Sequence, residues 1–308
     1  MTQLTEEIDA SVPEAVESAL GVKVLSTARI KLGIINRVYR VETDGGRFVV
    51  KVFRSRMWPE EGKLEWIEKQ LAGLGILHPR MIFSSPRDAS LFPNGFTISE
   101  HVEGRDAWAA IHDGSLTTEW FSEELGRILR SLHRVRVKAY GHLCNGEGVY
   151  DDFVEQRLAK TTKDVDQIAA RDDDLHDVVR NRTRERLLPF KNLYRPVLTH
   201  GDPNPHNCIL TQSGQLALVD WDNASSSIWL RDYAHLTYQL LKETDESGRE
   251  AFFNGYGATD LDRETIERIE RTFHLIWDYN SLSDPDLRSD SEEFRKTKAR
   301  LLRLLREP

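Results

Sequence analysis

The stretch Leu198-Thr-His-Gly-Asp-Pro-Asn-Pro-His-Asn-Cys-Ile-Leu210 decides the fold of this chain, together with Val219-Asp-Trp-Asp222 a few residues later. Asp202 and Asn207 lie on a loop rich in Gly and Pro, with apolar runs on both sides. Asp220 ends the second strand of the hairpin that the pattern predicts after this loop. The spacing predicts that all three polar side chains point into one cleft.

These residue types are the ones that phosphoryl transfer requires. A carboxylate orients the attacking hydroxyl and accepts its proton, and oxygen ligands hold Mg²⁺, which offsets the charge of the phosphates. Protein kinases place an Asn five residues after the catalytic Asp, and a metal-binding Asp after a short β-hairpin. This chain follows that pattern, with Gly201 in place of the kinase Arg and Asp222 in place of the Gly that follows Phe.

The form His-Gly-Asp-x-x-x-x-Asn…Asp-Trp-Asp resembles the aminoglycoside phosphotransferase and choline kinase family. Further segments that resemble this family are Ile98-Ser99-Glu100 with Gly104, Leu125-Gly126…Leu132-His133, and Arg231-Asp232-Tyr233-Ala234. The matches extend from about residue 25 to residue 235. The resemblance implies a protein-kinase-like fold and a kinase that uses ATP and Mg²⁺ to phosphorylate a small molecule.

The resemblance also implies a role for each residue that matches the motif. Asp202 corresponds to the catalytic base, and Asn207 and Asp220 correspond to the magnesium ligands. Lys51 corresponds to the strand lysine that holds the α- and β-phosphates of the nucleotide. Asp222 is expected to assist the metal indirectly.

The nucleotide is expected to contact several further residues in the N-terminal third of the chain. A glutamate on the helix after Lys51 is the expected partner of that lysine, with Glu65 preferred to Glu68. The segment Lys31–Asn36 keeps a single glycine where a phosphate-cradling loop generally has several, so a loose cover over ATP is predicted. The other residues predicted to contact the nucleotide are Gly33, Asn36, Ser99 and His101.

Three polar residues near the motif are interpreted as structural or exposed. The carboxylate of Asp232 is expected to accept backbone N–H bonds from the catalytic loop, an environment that lowers a carboxyl pKa. His200 is expected to bond to backbone near the metal-binding segment, and His206 is expected to be an exposed loop residue.

The change from strand-like to helical sequence patterns along the chain predicts an α+β protein of two lobes. A small lobe with an antiparallel β-sheet and one crossing helix, starting near Pro59, is expected over residues 1–100. A larger and mostly helical lobe is expected over residues 101–308, with two short strands that form the hairpin. The tail Lys296–Pro308 is expected to be an amphipathic helix that docks its leucines.

Composition excludes several classes of function. The net charge of −8 over 308 residues argues against a nucleic-acid partner, because such binding depends on Lys and Arg at phosphates. No stretch has the apolar length of a membrane span, and a cytoplasmic location with no membrane partner is expected. The two cysteines, Cys144 and Cys208, are expected to be reduced thiols. The oligomeric state is left open.

Three functions are compatible with the motif. The leading one is transfer of a phosphoryl group from ATP to a hydroxyl of an antibiotic, choline, ethanolamine, homoserine or a sugar. A catalytically silent nucleotide-binding module is the second, because the phosphate loop has a single glycine. A metal-dependent hydrolase that uses His200 and His206 with the nearby Asp and Asn residues is the third.

The acceptor is expected to be a cation. Carboxylates and aromatic side chains in the segments 273–280 and 281–290 favour a positively charged substrate through Coulomb attraction and cation–π contact. An aminoglycoside-like antibiotic is therefore preferred to a choline-like metabolite. The residues behind this expectation are Trp277, Asp278, Tyr279, Asp284, Asp286 and Asp290.

Overall fold

The computed structural model describes residues 2–30, 36–87, 91–143, 148–163, 173–192, 194–241, 245–282 and 291–307. The described strands are β1 Val24–Ile30, β2 Arg37–Thr43, β3 Gly46–Val52, β4 Met81–Ser84, β5 Phe96–Glu100, β6 Gly104–Asp106, β7 Val197–Thr199, β8 Cys208–Thr211, β9 Leu216–Leu218 and β10 Ser225–Ser227. The described helices are α1 Thr2–Leu20, α2 Lys63–Leu71, α3 Ala107–His112, α4 Thr118–Leu132, α5 Phe153–Lys163, α6 Asp173–Leu187, α7 Leu230–Gln239, α8 Glu246–Tyr256, α9 Arg263–Leu282 and α10 Glu292–Arg306.

The chain divides into two compact units, one rich in strands and one rich in helices. The first combines Met1–Ser115 with Pro205–Asn223, and the second combines Leu116–Asn204 with Ala224–Pro308. The α+β class is confirmed, with a small antiparallel sheet in the first unit and mostly helices in the second. The chain passes from the second unit to the first between Asn204 and Pro205, inside the motif that decides the fold.

An antiparallel sheet of five strands forms the main part of the first unit. Its order is β1-β2-β3-β5-β4, so β3 and β5 are central strands. Alternation along β3 buries Val50 and Val52 on one face and leaves Lys51 on the other. The paired neighbours of Lys51 are Val38 on β2 and Thr97 on β5.

The sheet is covered by α1, a helix that the sequence pattern did not lead us to predict. Val12, Ala15 and Val16 on this helix are almost fully buried. They belong to one apolar cluster with sheet residues that include Val41 and Ile98. The apolar face of α1 therefore covers one face of the sheet, which a sheet needs in order to bury its apolar residues.

The crossing helix α2 begins later than the sequence predicts. The predicted start at Pro59 is wrong, because the helix begins at Lys63. The residue before it, Gly62, has a left-handed φ of 76°. Ile67 and Leu71 are the apolar residues that this helix buries. Its end at Leu71 lies two residues before Gly73, close to the predicted end.

A second, small sheet explains why residues 205–223 belong to the first unit. Its order is β6-β8-β9, and the hairpin β8–β9 that the sequence predicts is confirmed. Strand β6 pairs with β8 through Gly104, Arg105 and Asp106, which ties the segment after residue 100 to the hairpin. The lobe boundary expected at residue 100 stays a prediction. Cys208 on β8 is a buried free thiol, and Cys144 lies outside the described residues.

The second unit is built of helices around one short antiparallel pair, β7 with β10. The C-terminal helix α10 docks its leucines as predicted. Leu301 and Leu304 are buried in an apolar cluster with Val179 of α6 and Leu275 of α9. Within the described ranges, none of the helices combines the length and the apolar character that crossing a membrane requires.

Helices α4 and α8 cross at unusually close range because each has a glycine at the contact. A Cβ atom on Gly255 of α8 would lie 1.8 Å from the carbonyl oxygen of Glu123 in α4. A Cβ atom on Gly126 of α4 would lie 2.4 Å from the carbonyl oxygen of Phe252 in α8. Both distances are far below van der Waals contact, so any larger residue would force the helices apart.

We expect Gly255→Ala to destabilise the protein by roughly 1–3 kcal/mol, the usual cost of overpacking. The sign is informative, because Ala in place of Gly inside a helix ordinarily gains about 1 kcal/mol. Chemical denaturation of the two proteins measures the difference. Asn254→Ala, at an exposed position on the same helix, is the matched control and should be neutral or slightly stabilising. Equal gains at both positions would show that the close crossing imposes no constraint.

Candidate active site

The loop that carries Asp202 is held by a buried carboxylate from a neighbouring helix. Asp232 of α7 is fully buried, and its two oxygens accept hydrogen bonds from the backbone N–H groups of His200 and Gly201, each at 2.8 Å. Gly201 has φ of 82°, a left-handed conformation that favours glycine and that turns its N–H towards this carboxylate. The structural role predicted for Asp232 is confirmed.

The side chains of His133 and Arg231 also stabilise the Asp232 carboxylate. His133 of α4 places Nε2 3.1 Å from the Asp232 carboxylate, and its Nδ1 lies 3.0 Å from the hydroxyl of Tyr256. Burial alone would raise the pKa of Asp232, but the hydrogen bond from His133 and the nearby Arg231 lower it overall. The anion that anchors the loop is thus stabilised in its charged form.

Asp202 itself is partly buried and is contacted by two nitrogen atoms. The side-chain amide of Asn204 donates to Asp202 Oδ1 at 2.5 Å. His235 of α7 places its Nε2 3.4 Å from the same oxygen. The carboxylate predicted to act as the base is therefore oriented by neighbours within its own unit.

His235 is a residue that sequence reasoning missed. It follows Asp232 by three positions and Asp202 by 33, and no local motif connects it with the catalytic loop. Burial lowers the pKa of His235 to about 4, despite the opposing attraction of Asp202. The ring of Trp277 on α9 packs edge-on against it at 5.1 Å between centroids. An uncharged imidazole therefore lies beside the candidate base at neutral pH.

The two predicted metal ligands lie at the same end of the hairpin in the first unit. Asn207 ends a short 3₁₀ turn directly before β8, and its carbonyl accepts a hydrogen bond from the N–H of Val219 at 2.9 Å. Asp220 follows Val219 and has φ of 63°, the one positive value among the described residues other than glycine. Such a conformation costs free energy and is concentrated at functional positions.

Lys51 is paired with both carboxylates of the Asp-Trp-Asp segment. Its ammonium lies 2.8 Å from Asp220 Oδ1 and 3.0 Å from Asp222 Oδ1. Burial alone would lower the pKa of Lys51, but the two carboxylates outweigh it and raise the pKa overall. Burial raises the pKa of Asp222, whose side chain is 8% exposed, whereas that of Asp220 is 47% exposed.

This cluster has a surplus of negative charge that suits a hard cation. Two carboxylates share one ammonium, and the more exposed of them, Asp220, is accompanied at its end of the hairpin by the oxygen-donor side chain of Asn207. Among the described residues, no group of three His, Cys, Asp or Glu side chains is arranged to hold a metal by itself. Magnesium generally takes one or two protein carboxylates together with substrate phosphates, so this donor set fits it.

The glutamates predicted to pair with Lys51 are elsewhere. Glu65 accepts a hydrogen bond from the hydroxyl of Ser84 at 2.6 Å, and Glu68 accepts one from the N–H of Met81 at 3.2 Å. Within the described part of the chain, no ion pair joins either glutamate to Lys51. The expectation that Glu65 contacts Lys51 is therefore wrong for this structure, because Asp220 and Asp222 occupy the ammonium.

Helix α2 reaches the Asp-Trp-Asp segment through a lysine instead of a glutamate. Lys63 is fully buried, and its ammonium donates to the backbone carbonyl of Asp222 at 2.6 Å and to Glu60 at 2.9 Å. The ring of Trp58 lies 4.2 Å from the same ammonium. Sequence reasoning missed Lys63, since its position at the start of the helix gave no sign of a partner 159 residues away.

The residues predicted to contact the nucleotide lie in different structural settings. Asn36 is buried, donates to Asp222 Oδ2 at 2.7 Å and accepts from the N–H of Arg54. Ser99 lies within β5 between two other strands. The backbone N–H of His101, expected to meet adenine, donates to the carbonyl of Arg47 at 3.3 Å. Gly33 lies outside the described residues.

His206 is exposed, as predicted, and it has neighbours that the sequence did not reveal. Its Nδ1 lies 3.6 Å from the carboxylate of Asp106, the residue that caps α3. Its ring lies 4.8 Å from that of Trp108 on the same helix. These contacts attach the turn before Asn207 to α3.

Of the acidic side chains behind the predicted cationic acceptor, Asp278 is not available as proposed. Asp278 is fully buried and forms an ion pair with Arg300, with a further hydrogen bond from the hydroxyl of Tyr238 at 2.8 Å. Tyr279 is also buried, with its hydroxyl 3.0 Å from His176. The assignment of Asp278 to a cation-binding wall is therefore wrong, because Arg300 already neutralises it. Asp284, Asp286 and Asp290 lie outside the described residues.

The model of the phosphotransferase enzyme family (APH) matches residues 26–267 of this chain. A 3-deoxy-D-manno-octulosonic acid kinase of Xylella fastidiosa (strain 9a5c) is 31% identical over 93 residues. That match covers 29% of this chain and 33% of the relative, so the chain matches about a third of that protein's length.

Solved structures share the fold over nearly the whole chain. A thermostable mutant of the aminoglycoside phosphotransferase APH(4)-Ia, crystallised with AMP-PNP and hygromycin B, has a TM-score of 0.71 and 15% identity, covering 96% of this chain and 98% of that one. The choline kinase LicA of Streptococcus pneumoniae has a TM-score of 0.68 and 17% identity, covering 97% and 98%. At such identities the likeness establishes the fold.

We expect Lys51→Met to lower the free energy of unfolding by on the order of 3 kcal/mol, because it leaves the buried Asp222 carboxylate without its counter-charge. The double variant Lys51→Met with Asp222→Asn should recover most of this loss, since the uncompensated charge is then removed. Denaturation curves for both variants and for Asp222→Asn alone form the complete cycle. If Lys51→Met is as stable as the unaltered protein, the pair makes no contribution to folding.

Proposed function

Since this chain belongs to the phosphotransferase enzyme family, we propose that it transfers the γ-phosphoryl group of ATP to a hydroxyl group of a small molecule. The observation that carries the proposal is the contact of Lys51 with Asp220 and Asp222 on a strand and a hairpin of the first unit. The same arrangement of a strand lysine and a metal-binding aspartate serves nucleotide phosphates in kinases.

Asp202 is proposed as the general base. It accepts the proton of the acceptor hydroxyl as the oxygen of that hydroxyl forms its bond to the γ-phosphorus and the bond to the β,γ-bridging oxygen breaks. The hydrogen bond from Asn204 keeps the carboxylate in one orientation. Such positioning is most of what a protein contributes to phosphoryl transfer, because the chemistry at phosphorus needs little else.

Asp220 and Asn207 are proposed as the protein ligands of Mg²⁺, with Asp222 supporting them through Lys51 and Asn36. The bound ion supplies charge compensation for the phosphates. Lys51 is proposed to bind the α- and β-phosphates, for which it exchanges the carboxylates that it contacts in this structure. Lys63 holds the backbone of Asp222 and thereby the segment that carries Asp220.

The two competing functions have less support. A silent nucleotide-binding module does not require a base, yet Asp202 has oriented neighbours and Lys51, Asn207 and Asp220 are all present. A metal-dependent hydrolase built on His200 and His206 requires a clustered set of ligands, and the described residues contain no such cluster. Mg·ATP and a panel of hydroxylated metabolites separate the three, with ADP release and a substrate mass gain of one phosphate as the readout.

The acceptor class is the open part of the proposal. The structurally similar APH(4)-Ia was solved with hygromycin B, an APH(2")-IIa with streptomycin, and LicA is a choline kinase, whereas the matched relative is a 3-deoxy-D-manno-octulosonic acid kinase. Asp202 is contacted by the neutral imidazole of His235, against which the ring of Trp277 packs. An aromatic wall of this kind accepts a cation or a sugar face, so we propose a hydroxylated cationic antibiotic first and a sugar-type acceptor second.

Asp202→Asn should remove nearly all phosphoryl transfer while ATP binding stays close to that of the unaltered protein. The change deletes proton acceptance but preserves the shape of the side chain, and general-base contributions are typically about 10²–10⁴-fold. Steady-state kinetics with the best acceptor of the panel and calorimetric ATP titration provide the two measurements. A variant that retains most of its kcat would exclude Asp202 as the base.

Asp220→Ala and Asn207→Ala should both weaken the binding of Mg·ATP, and Asp220→Ala should be the more damaging because it removes a formal charge from the ion. Nucleotide affinity is measured with Mg²⁺ and with EDTA for each variant. Asp260→Ala, at an exposed acidic residue before α9, is the control for loss of charge alone. If either variant binds ATP as the unaltered protein does under both conditions, that residue is not a metal ligand.

A further inference from the structure

We propose that His235 is a positioning residue for the base: its Nε2–H donates to Asp202 Oδ1 and, together with the amide of Asn204, fixes the rotation of that carboxylate. The inference deepens the proposed function and rests on it for its catalytic meaning. The contact itself is a property of the helical unit alone, because both residues belong to that unit.

The first argument is the geometry at one oxygen. Asn204 Nδ2 lies 2.5 Å from Asp202 Oδ1, and His235 Nε2 lies 3.4 Å from the same atom. The two nitrogens come from different elements, a loop residue two positions after the base and a helix residue 33 positions after it. With the proposed hydrogen bond from His235, two donors on one oxygen would restrict rotation about the Cβ–Cγ bond, which a single local donor cannot do if the loop moves as a whole.

The second argument identifies the tautomer. A neutral imidazole has one N–H donor and one lone-pair acceptor. Nε2 faces a carboxylate oxygen, which attracts a proton and repels a lone pair. Within the described residues, Nδ1 of His235 is buried with no hydrogen-bond partner, and an unpartnered acceptor is tolerated more readily than an unpartnered donor. Both ends of the ring therefore favour the form with the proton on Nε2.

The third argument concerns the charge of the ring. The groups that face His235 are Asp202 and His200 from the catalytic loop and Arg231 and Asp232 from its own helix, while α9 presents the uncharged ring of Trp277. Burial has the largest effect and lowers the pKa of His235 to about 4. A neutral donor orients the base without the full electrostatic cost that an adjacent cation would impose on its proton affinity.

Trp277 holds the ring of His235 in place. The two rings meet edge-on at 5.1 Å and 70°, and Trp277 is also packed against Tyr238 and Phe273 at 5.4 Å each. The imidazole is thus confined between the carboxylate and a fixed aromatic side chain. This confinement keeps Nε2 in reach of Asp202 when substrate is absent.

The kinetic test compares His235→Phe with His235→Gln. Phe keeps the aromatic bulk against Trp277 and removes the donor, whereas Gln places an N–H near the position of Nε2. We expect His235→Phe to lower kcat roughly tenfold with the KM for ATP unchanged, and His235→Gln to retain most of the activity. His274→Gln is the matched control, since His274 is a second histidine beside Trp277 and bonds to the carbonyl of Ala234. Equal kcat values for the Phe and Gln variants, whether both high or both low, would overturn the inference.

A second measurement is independent of activity. Long-range ¹H–¹⁵N spectra of the full chain, with the His235 signals assigned from the Gln variant, report which ring nitrogen carries the proton. We expect the neutral Nε2–H form at pH 7, titrating near pH 4. A neutral Nδ1–H form or a charged ring at pH 7 contradicts the inference even if Asp202→Asn abolishes transfer. If the tautomer is as expected and no acceptor is phosphorylated, the proposed function fails while the contact stands.

Discussion

The carboxylate of Asp232 is the group on which the path of the loop before Asp202 depends. It is fully buried, and its oxygens accept the N–H groups of His200 and Gly201, so the chain must turn at a left-handed glycine just before Asp202. Leaving either N–H without a partner would cost about 1–3 kcal/mol, so the loop has little freedom to adopt another path. The position of the candidate base follows from a hydrogen-bond requirement and not from local propensity.

The strand-rich unit solves a different electrostatic problem. Asp220 and Asp222 would repel each other, and Lys51 compensates for them in this structure. Asn36 and Lys63 satisfy the remaining oxygens of Asp222, one at its side chain and one at its backbone carbonyl. Fully bonded polar clusters of this kind are rigid, and a partly bonded one would be costly. The cluster therefore holds Asp220, the proposed metal ligand, close to Lys51 and has a surplus of negative charge.

Helix α2 contacts the Asp-Trp-Asp segment through a lysine and not, as expected, Lys51 through a glutamate. A glutamate on this helix was expected to meet Lys51, but the start of the helix at Lys63 directs Glu65 to Ser84 and brings a lysine to the Asp-Trp-Asp segment. The helix is thus linked to the Asp-Trp-Asp segment by a cation that donates to a backbone carbonyl. Propensity and spacing indicated the helix correctly but could not indicate which of its faces met the segment.

The sequence by itself determined the α+β class, the hairpin after the loop and the anchoring role of Asp232, and it singled out Lys51, Asp202, Asn207 and Asp220 as candidate site residues. These features depend on spacing over a few residues, on alternation and on the chemistry of oxygen ligands, all of which a linear sequence displays. Only the tertiary structure decided the partners of Lys51, the ion pair of Asp278 with Arg300, and the placement of Lys63 and His235. Those contacts join residues that are far apart along the chain, and their distances depend on how helices and strands pack, for which no local pattern exists.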